Sequence, residues 1–121
     1  LRPGGRLGLC VWLRGDADGP GHEQLVRQLS ETLLCPTLFT MSEQISSLET
    51  AGFQIGRADN IASGVLPTWE HCNKLVSSPM AQMFLYTKGS KLRRYVECFK
   101  LLERGYREGA LAYGMIVATR A

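Results

Sequence analysis

A chain of 121 residues with 14 Lys and Arg against 11 Asp and Glu, 45% apolar and 21% charged, has the length and balance of one globular domain. Its formal charge of +3 is slight, and the nearest basic cluster, "KLRRY" at 91–95, reads as a solvated helix face and not as the basic patch that nucleic acid requires. No run reaches the roughly 18 apolar residues of a membrane span, and no signal-peptide pattern is present, so neither nucleic acid nor membrane is an expected partner.

The four cysteines, Cys10, Cys35, Cys72 and Cys98, form no CxxC pair, and each sits among apolar residues. Free, buried thiols in a reduced, cytoplasmic chain are expected. His22 and His71 are too far apart in sequence to seed a zinc-type ligand set, so no metal site is expected.

In chain order, "RPGG" at 2–5 is turn chemistry. "RLGLCVWLR" then gives a near-continuous apolar run, which predicts a strand over about 6–13 covered on both faces. "GDADGPG" at 15–21 breaks it. Leu25, Val26, Leu29 and Leu33 form one helical stripe, with Pro36 as the expected stop. "TMSE" at 40–43 matches a capping box, Thr40 as N-cap and Glu43 reaching back. Its helix turns Ile45 and Leu48 inward and ends at Gly52, suited to the left-handed position after a helix. "FQIGRADNI" predicts a second strand at 53–61. Strand, helix, helix, strand is a crossover unit whose natural product is a parallel sheet.

Pro67 and Thr68 predict the start of a further helix with Trp69, Cys72, Leu75 and Val76 on its inner stripe, closed by Pro79. "MAQMFLY" at 80–86 reads as helical up to Gly89, with Met80, Met83 and, later, Met115 as core or lid packing. The strongest helix follows, with Leu92, Tyr95, Val96, Phe99, Leu102 and Tyr106 at helical spacing and Gly109 as its end. "ALAYGMIVATRA" predicts a third strand at about 112–119. The reading is an α/β chain of one domain at 1–121: strand–helix–helix–strand to residue 62, a helical cap over 63–109 (helices at about 67–108), and a final strand segment at 110–121.

Four stretches, in order, resemble class I methyltransferases dependent on S-adenosylmethionine. "LRPGGRLGLCVW" is similar to the turn and apolar run leading into that family's fifth strand, and "LETAGFQIGRADNI" to its helix, "AGF" turn and sixth strand. "ADNIASGVLPTWEHC" resembles a stretch of the tocopherol and small-molecule C-methyltransferase branch, with Asn60 and Ile61 in place of an Asp-Trp pair and Thr68 in place of Phe. "YREGALAYGMIVATRA" looks like that branch's final strand. The resemblance implies a partial Rossmann-like methyltransferase fold with strands in the order five, seven, six and seven antiparallel. It also implies S-adenosylmethionine as cofactor of the full-length enzyme. The family's glycine-rich cofactor loop belongs to its first half. "GDADGPG" follows the would-be fifth strand and "RPGGRLG" precedes a strand, the wrong order for a phosphate- or nucleotide-type loop. No cofactor-binding residue is therefore assigned within this chain.

Methyl transfer needs a nucleophile and often a base. His22, just past the first strand's carboxyl end, is the candidate base, and His71 is a lesser one. Trp12, Trp69, Tyr106 and Tyr113 are candidates to line an apolar or aromatic substrate pocket, and Asp59 and Asn60 to hydrogen-bond the substrate. The expected function is the substrate-side, C-terminal part of a small-molecule methyltransferase, inactive as this chain alone. The alternative is a stand-alone, non-catalytic module that binds a small apolar ligand or a protein partner. Under either reading the strand at 6–13 has an open apolar edge, expected to pair with a second copy or with a missing N-terminal segment.

Overall fold

The computed structural model describes every residue except Asp18 and Pro36. The elements are β1 (Arg6–Arg14), α1 (His22–Thr32), α2 (Met41–Thr50), β2 (Phe53–Asn60), α3 (Ala62–Val76), α4 (Pro79–Lys88), α5 (Ser90–Glu108) and β3 (Leu111–Arg120). The three strands form one sheet in the order β1-β3-β2, with β3 antiparallel to both neighbours. This is the order that the methyltransferase resemblance implied. The crossover alone predicted a parallel pair. β1 and β2 do run in the same direction, but β3 lies between them and takes the ladder bonds of both.

β1 proves one-sided, and the expectation of cover on both faces is corrected. Its odd-numbered residues Leu7, Leu9, Val11 and Leu13 face cover, with Leu13 fully buried. On the opposite face Arg6, Gly8, Cys10 and Arg14 are exposed, and Trp12 alone is tucked under the cap. The same geometry corrects the cysteines. Cys98 is buried, Cys35 and Cys72 are half-buried, and Cys10 is exposed, because no helix covers the middle of that face. All four are free thiols.

The main core lies between the sheet and the cap: Leu25 and Leu29 of α1 meet Cys98, Leu102 and Tyr106 of α5, closed below by Ala110 and Leu111. The α5 stripe is thus shifted toward its C-terminal half. Leu92 and Tyr95, expected inside, are exposed, as is Leu75 of α3, because α5 reaches the core only past Val96. Gly105 is what lets α5 lie on β3. A methyl group there would stand 2.7 Å from Leu111 Cδ1.

Helix ends follow local chemistry. The Thr40 hydroxyl accepts from the Glu43 amide at 3.3 Å, whereas the return bond from the Glu43 carboxylate is not made among the described residues; Thr40 meets Ser42 instead. Gly52 and Gly109 take the left-handed positions expected of them, at φ 92° and 78°. The start of α3 is corrected from Pro67 to Ala62. Asn60 Oδ1 accepts from the Ala62 amide at 3.0 Å and the Ile61 amide donates to Tyr113 O at 2.8 Å, so the strand end itself nucleates the helix five residues before the proline. Pro67 cannot bond the Ser63 carbonyl, but both residues are exposed, and water can take that bond.

The stop assigned to Pro36 lies outside the described residues, and α1 ends by another device. The Leu34 amide donates to Glu31 O at 3.3 Å and the Cys35 amide to Ser30 O at 2.9 Å, the paired bonds of a Schellman turn. Leu34 sits in its left-handed position at φ 56°, 87% exposed, a conformation that costs a branched residue about 1–2 kcal/mol. Leu34→Gly should therefore stabilise the chain by about 1 kcal/mol, and Gly105→Ala should destabilise it by about 1–3 kcal/mol through overpacking. Urea denaturation of the two variants checks both signs.

Candidate functional site

The aromatic candidates converge. Trp12 and Tyr113 are cross-strand partners on β1 and β3, and both pack, with Trp69 of α3, against the core cluster that contains Tyr106 of α5. Phe99, which sequence reasoning did not single out for the site, joins them: its ring centroid lies 5.6 Å from Trp69 and 5.7 Å from Tyr95. The result is an aromatic floor where the sheet meets α3 and α5, at the carboxyl end of β1.

Two buried donors in this floor have no partner among the described residues, Trp69 Nε1 and the Tyr106 hydroxyl. Burial pushes the Tyr106 phenol well above its ordinary value of 10.0, and the neighbouring Tyr113 pushes the same way. Tyr106 is therefore a neutral hydrogen-bond donor at physiological pH, suited to an oxygen acceptor and unsuited to act as a base.

His22 stands apart from this floor. Its Nδ1 lies 3.0 Å from the Ala17 carbonyl, which can only accept, so Nδ1–H donates this bond. Nε2 is 4.0 Å from Glu108 Oε1, and that carboxylate is held by Arg104 Nε at 2.6 Å. The imidazole is mostly covered (side chain 13% exposed) and lies against Gly19, where a methyl group would be 2.8 Å from the ring. His22 thus fastens the β1–α1 loop to the end of α5.

Asp59 and Asn60 end β2 but serve the backbone and each other's neighbours. Asp59 pairs with Arg57, and Asn60 caps α3. His71 is exposed on α3. A polar residue that the sequence concealed, Asn73, is 9% exposed in the α3–α5 seam. Its Nδ2 donates to Phe99 O at 3.0 Å and Glu103 Oε2 at 3.1 Å. Arg107 adds Glu103 at 3.1 Å and Glu70 at 3.4 Å. A cleft of about 550 Å³ runs along this seam between Glu70, Asn73, Lys74, Ser77, Glu103 and Arg107. It is lined by polar residues, open and outside the aromatic floor. Among the described residues no cluster of His, Cys, Asp and Glu could hold a metal, and no helix is long and apolar enough to cross a membrane.

Searches of family profiles and of curated proteins find no match to this sequence. Comparison with solved structures does. The chain superposes over its whole length on geranyl diphosphate C-methyltransferase from Streptomyces coelicolor A3(2), in complex with Mg2+, geranyl diphosphate and S-adenosylhomocysteine, with a TM-score of 0.70 and 18% identity over 38% of that chain. It matches a phosphoethanolamine N-methyltransferase from Haemonchus contortus at TM-score 0.73 and 15% identity, over 99% of this chain and 27% of that one. A mycolic acid cyclopropane synthase is similar at TM-score 0.75 and 11% identity, over 95% and 44%. The fold is part of a class I methyltransferase fold. This chain spans less than half the length of each of these proteins.

Structures similar to this one are complexed with S-adenosylmethionine or S-adenosylhomocysteine, but the loop after β1 is not shaped for that group. A nucleotide-type loop needs glycines whose open sides face the ligand. In the strand-to-helix loop after β1 two of the three glycines have those sides filled by the protein: a methyl group on Gly15 would run into the Gly109 carbonyl and one on Gly19 into the His22 ring, while one on Gly21 would meet only Arg104 Nη2, at 3.8 Å. No step through the cofactor is derived from these residues.

The raised phenol predicts a pH dependence. The unfolded chain releases the Tyr106 proton near 10.0 and the folded chain only above it, so this stabilisation is complete below pH 10 and is lost as pH rises toward the folded value. Tyr106→Phe, which also removes an unpaired hydroxyl, should leave stability at pH 7 unchanged or higher and flatten its decline above pH 10. Urea midpoints at pH 7 and pH 11 test this.

Proposed function

We propose that this chain is the C-terminal, substrate-side part of an S-adenosylmethionine-dependent small-molecule methyltransferase, working in the cytoplasm. In this reading α3–α5 roof the substrate over the Trp12, Trp69 and Tyr106 floor, and a strand from outside residues 1–121 completes the sheet along β1. The cofactor is held by residues outside this chain, and the chain alone does no chemistry. The substrate is a small, largely apolar molecule that offers an oxygen acceptor to the unpaired Trp69 and Tyr106 donors.

The observation that carries the reading is the open edge of β1. Gly5 accepts from the Arg120 amide and Gly15 donates to Ala110 O, so the odd-numbered residues of β1 bond β3. The N–H and C=O groups of Arg6, Gly8, Cys10 and Trp12 point the other way. At that edge the Arg14 amide finds Phe39 O at 2.8 Å. The opposite sheet edge, on β2, is blunted by a bulge between Ile55 and Arg57 and by the charged Arg57–Asp59 pair, devices that discourage pairing. β1 has no bulge, and Gly8 and Cys10 lie at its centre. A second copy, antiparallel about Cys10, would set Arg6 against the partner's Arg14, and like charges opposed across a ladder destabilise it. A strand of different sequence therefore fits better than a homodimer.

Titration calorimetry with S-adenosylmethionine is the test. Residues 1–121 should give no binding heat, and the chain extended at its amino end by the residues its gene encodes there should bind at micromolar concentrations. Tight binding by 1–121 alone, or none by the extended chain, overturns the proposal.

A further inference from the structure

The helix α4 is inverted relative to an ordinary surface helix. Its inner side is Ala81 and the buried Leu85, while its outer side carries Met80, Met83, Phe84 and Tyr86, which are 82%, 73%, 56% and 74% exposed. Met80, Met83 and Phe84 fall at i, i+3 and i+4 and so share one face. Beside them on α5, Leu92 and Tyr95 are also exposed. A cluster of large apolar side chains of this kind on an otherwise polar surface marks an interaction site.

The sequence that carries it is basic. Between residues 74 and 100 stand Lys74, Lys88, Lys91, Arg93, Arg94 and Lys100 against a single acid, Glu97. The ion pairs of the described residues all lie elsewhere, between His22, Arg57, Arg104 or Arg107 and Asp59, Glu70, Glu103 or Glu108. All six cations of this segment are therefore free of carboxylate partners among the described residues. Two of them sit directly on the exposed rings: Lys88 Nζ lies 5.1 Å from the Phe84 centroid, and the Arg93 guanidinium lies 5.1 Å from that of Tyr86. Lys88 and Arg93 thus form one surface with the apolar face, whereas Lys74 lines the α3–α5 cleft with Glu70 and Glu103, and Arg94 lies beside Glu31 and Glu97.

From this surface we infer that α4 and the start of α5 seat the protein on an anionic lipid bilayer, with the Met80, Met83 and Phe84 side chains in the acyl boundary and the lysines and arginines among the headgroups. Apolar insertion ringed by Lys and Arg is the chemistry of a helix lying in the interface plane. Charge selects this occupant over a second copy, because a two-fold contact here would bring two sets of unpaired cations together. The expectation that a membrane is not a partner rested on the missing spanning run, which a surface-lying helix does not need. The inference does not depend on the proposed enzymatic role, since it rests on the exposed side chains of α4 and the start of α5.

The test is flotation of the chain with vesicles of phosphatidylcholine and phosphatidylserine at 3:1 against phosphatidylcholine alone, at low and high salt. Binding to the anionic vesicles should exceed binding to the neutral ones at least tenfold and fall with salt. The double variant M83S/F84S, altered only at exposed positions, should lose about tenfold or more in partitioning while keeping the wild-type circular dichroism spectrum. Lys91→Gln, which leaves the apolar face intact, should weaken binding about fivefold. Overturning results are absent binding at low salt, equal binding to both lipids, or unchanged binding by M83S/F84S. A dimer in light scattering that M83S/F84S dissolves would equally overturn it and assign the face to protein.

Discussion

Everything in this molecule hangs on β3 and on how it divides its backbone hydrogen bonds. Even-numbered residues from Ala110 to Arg120 bond β1, and odd-numbered ones such as Tyr113 bond the β2 side. The last strand in sequence is thereby the central strand in space. Among the described residues β1 and β2 pair only with it, and each forms a sheet edge. Burial follows the same plan: Ala112, Ile116 and Ala118 are buried on one face of β3, and Leu111 enters the main core on the other. Because β3 closes the sheet, α3, α4 and α5 must all be inserted before it, and they form the cap.

The strands were legible because their apolar runs and turn residues are strong local signals. Leu7–Leu13, the Gly52 turn and the β-branched ending each matched an element to within a residue or two. The pairing was not legible from local pattern, because strand order depends on which edge a later segment finds; only the resemblance carried it. Helix interiors were read correctly and their buried stripes less so. Leu75, Leu92 and Tyr95 have the right spacing, but spacing says only that residues share a face, not that another element covers it, and all three are exposed. The end of α1 was hidden for a different reason. Leucine at a left-handed turn position, as at Leu34, violates the preference on which such predictions rest.

Of the candidate substrate residues, the aromatic ones, Trp12, Trp69, Tyr106 and Tyr113, meet around one core. The small polar candidates were not equivalent to them. Asn60 is committed to the Ala62 amide and Asp59 to Arg57, roles set by local backbone needs that residue type alone does not distinguish from ligand binding. Asn73 went unseen because an amide on a helix stripe looks like a surface residue until α5 is placed over it. His22 holds the loop, through its Nδ1 contact with the Ala17 carbonyl and its packing against Gly19.

The central claim is that β1 offers an unpaired edge which the functional protein fills. Residue-resolved amide hydrogen exchange on residues 1–121 addresses it directly. In the monomer, the amides of Leu7, Leu9, Val11 and Leu13, bonded to β3, should exchange slowly. Those of Gly8, Cys10 and Trp12 should exchange at least a hundredfold faster, at rates near those of an open chain. Equal protection of both sets in the monomer would mean that the edge is already closed within this chain, and the account would fail.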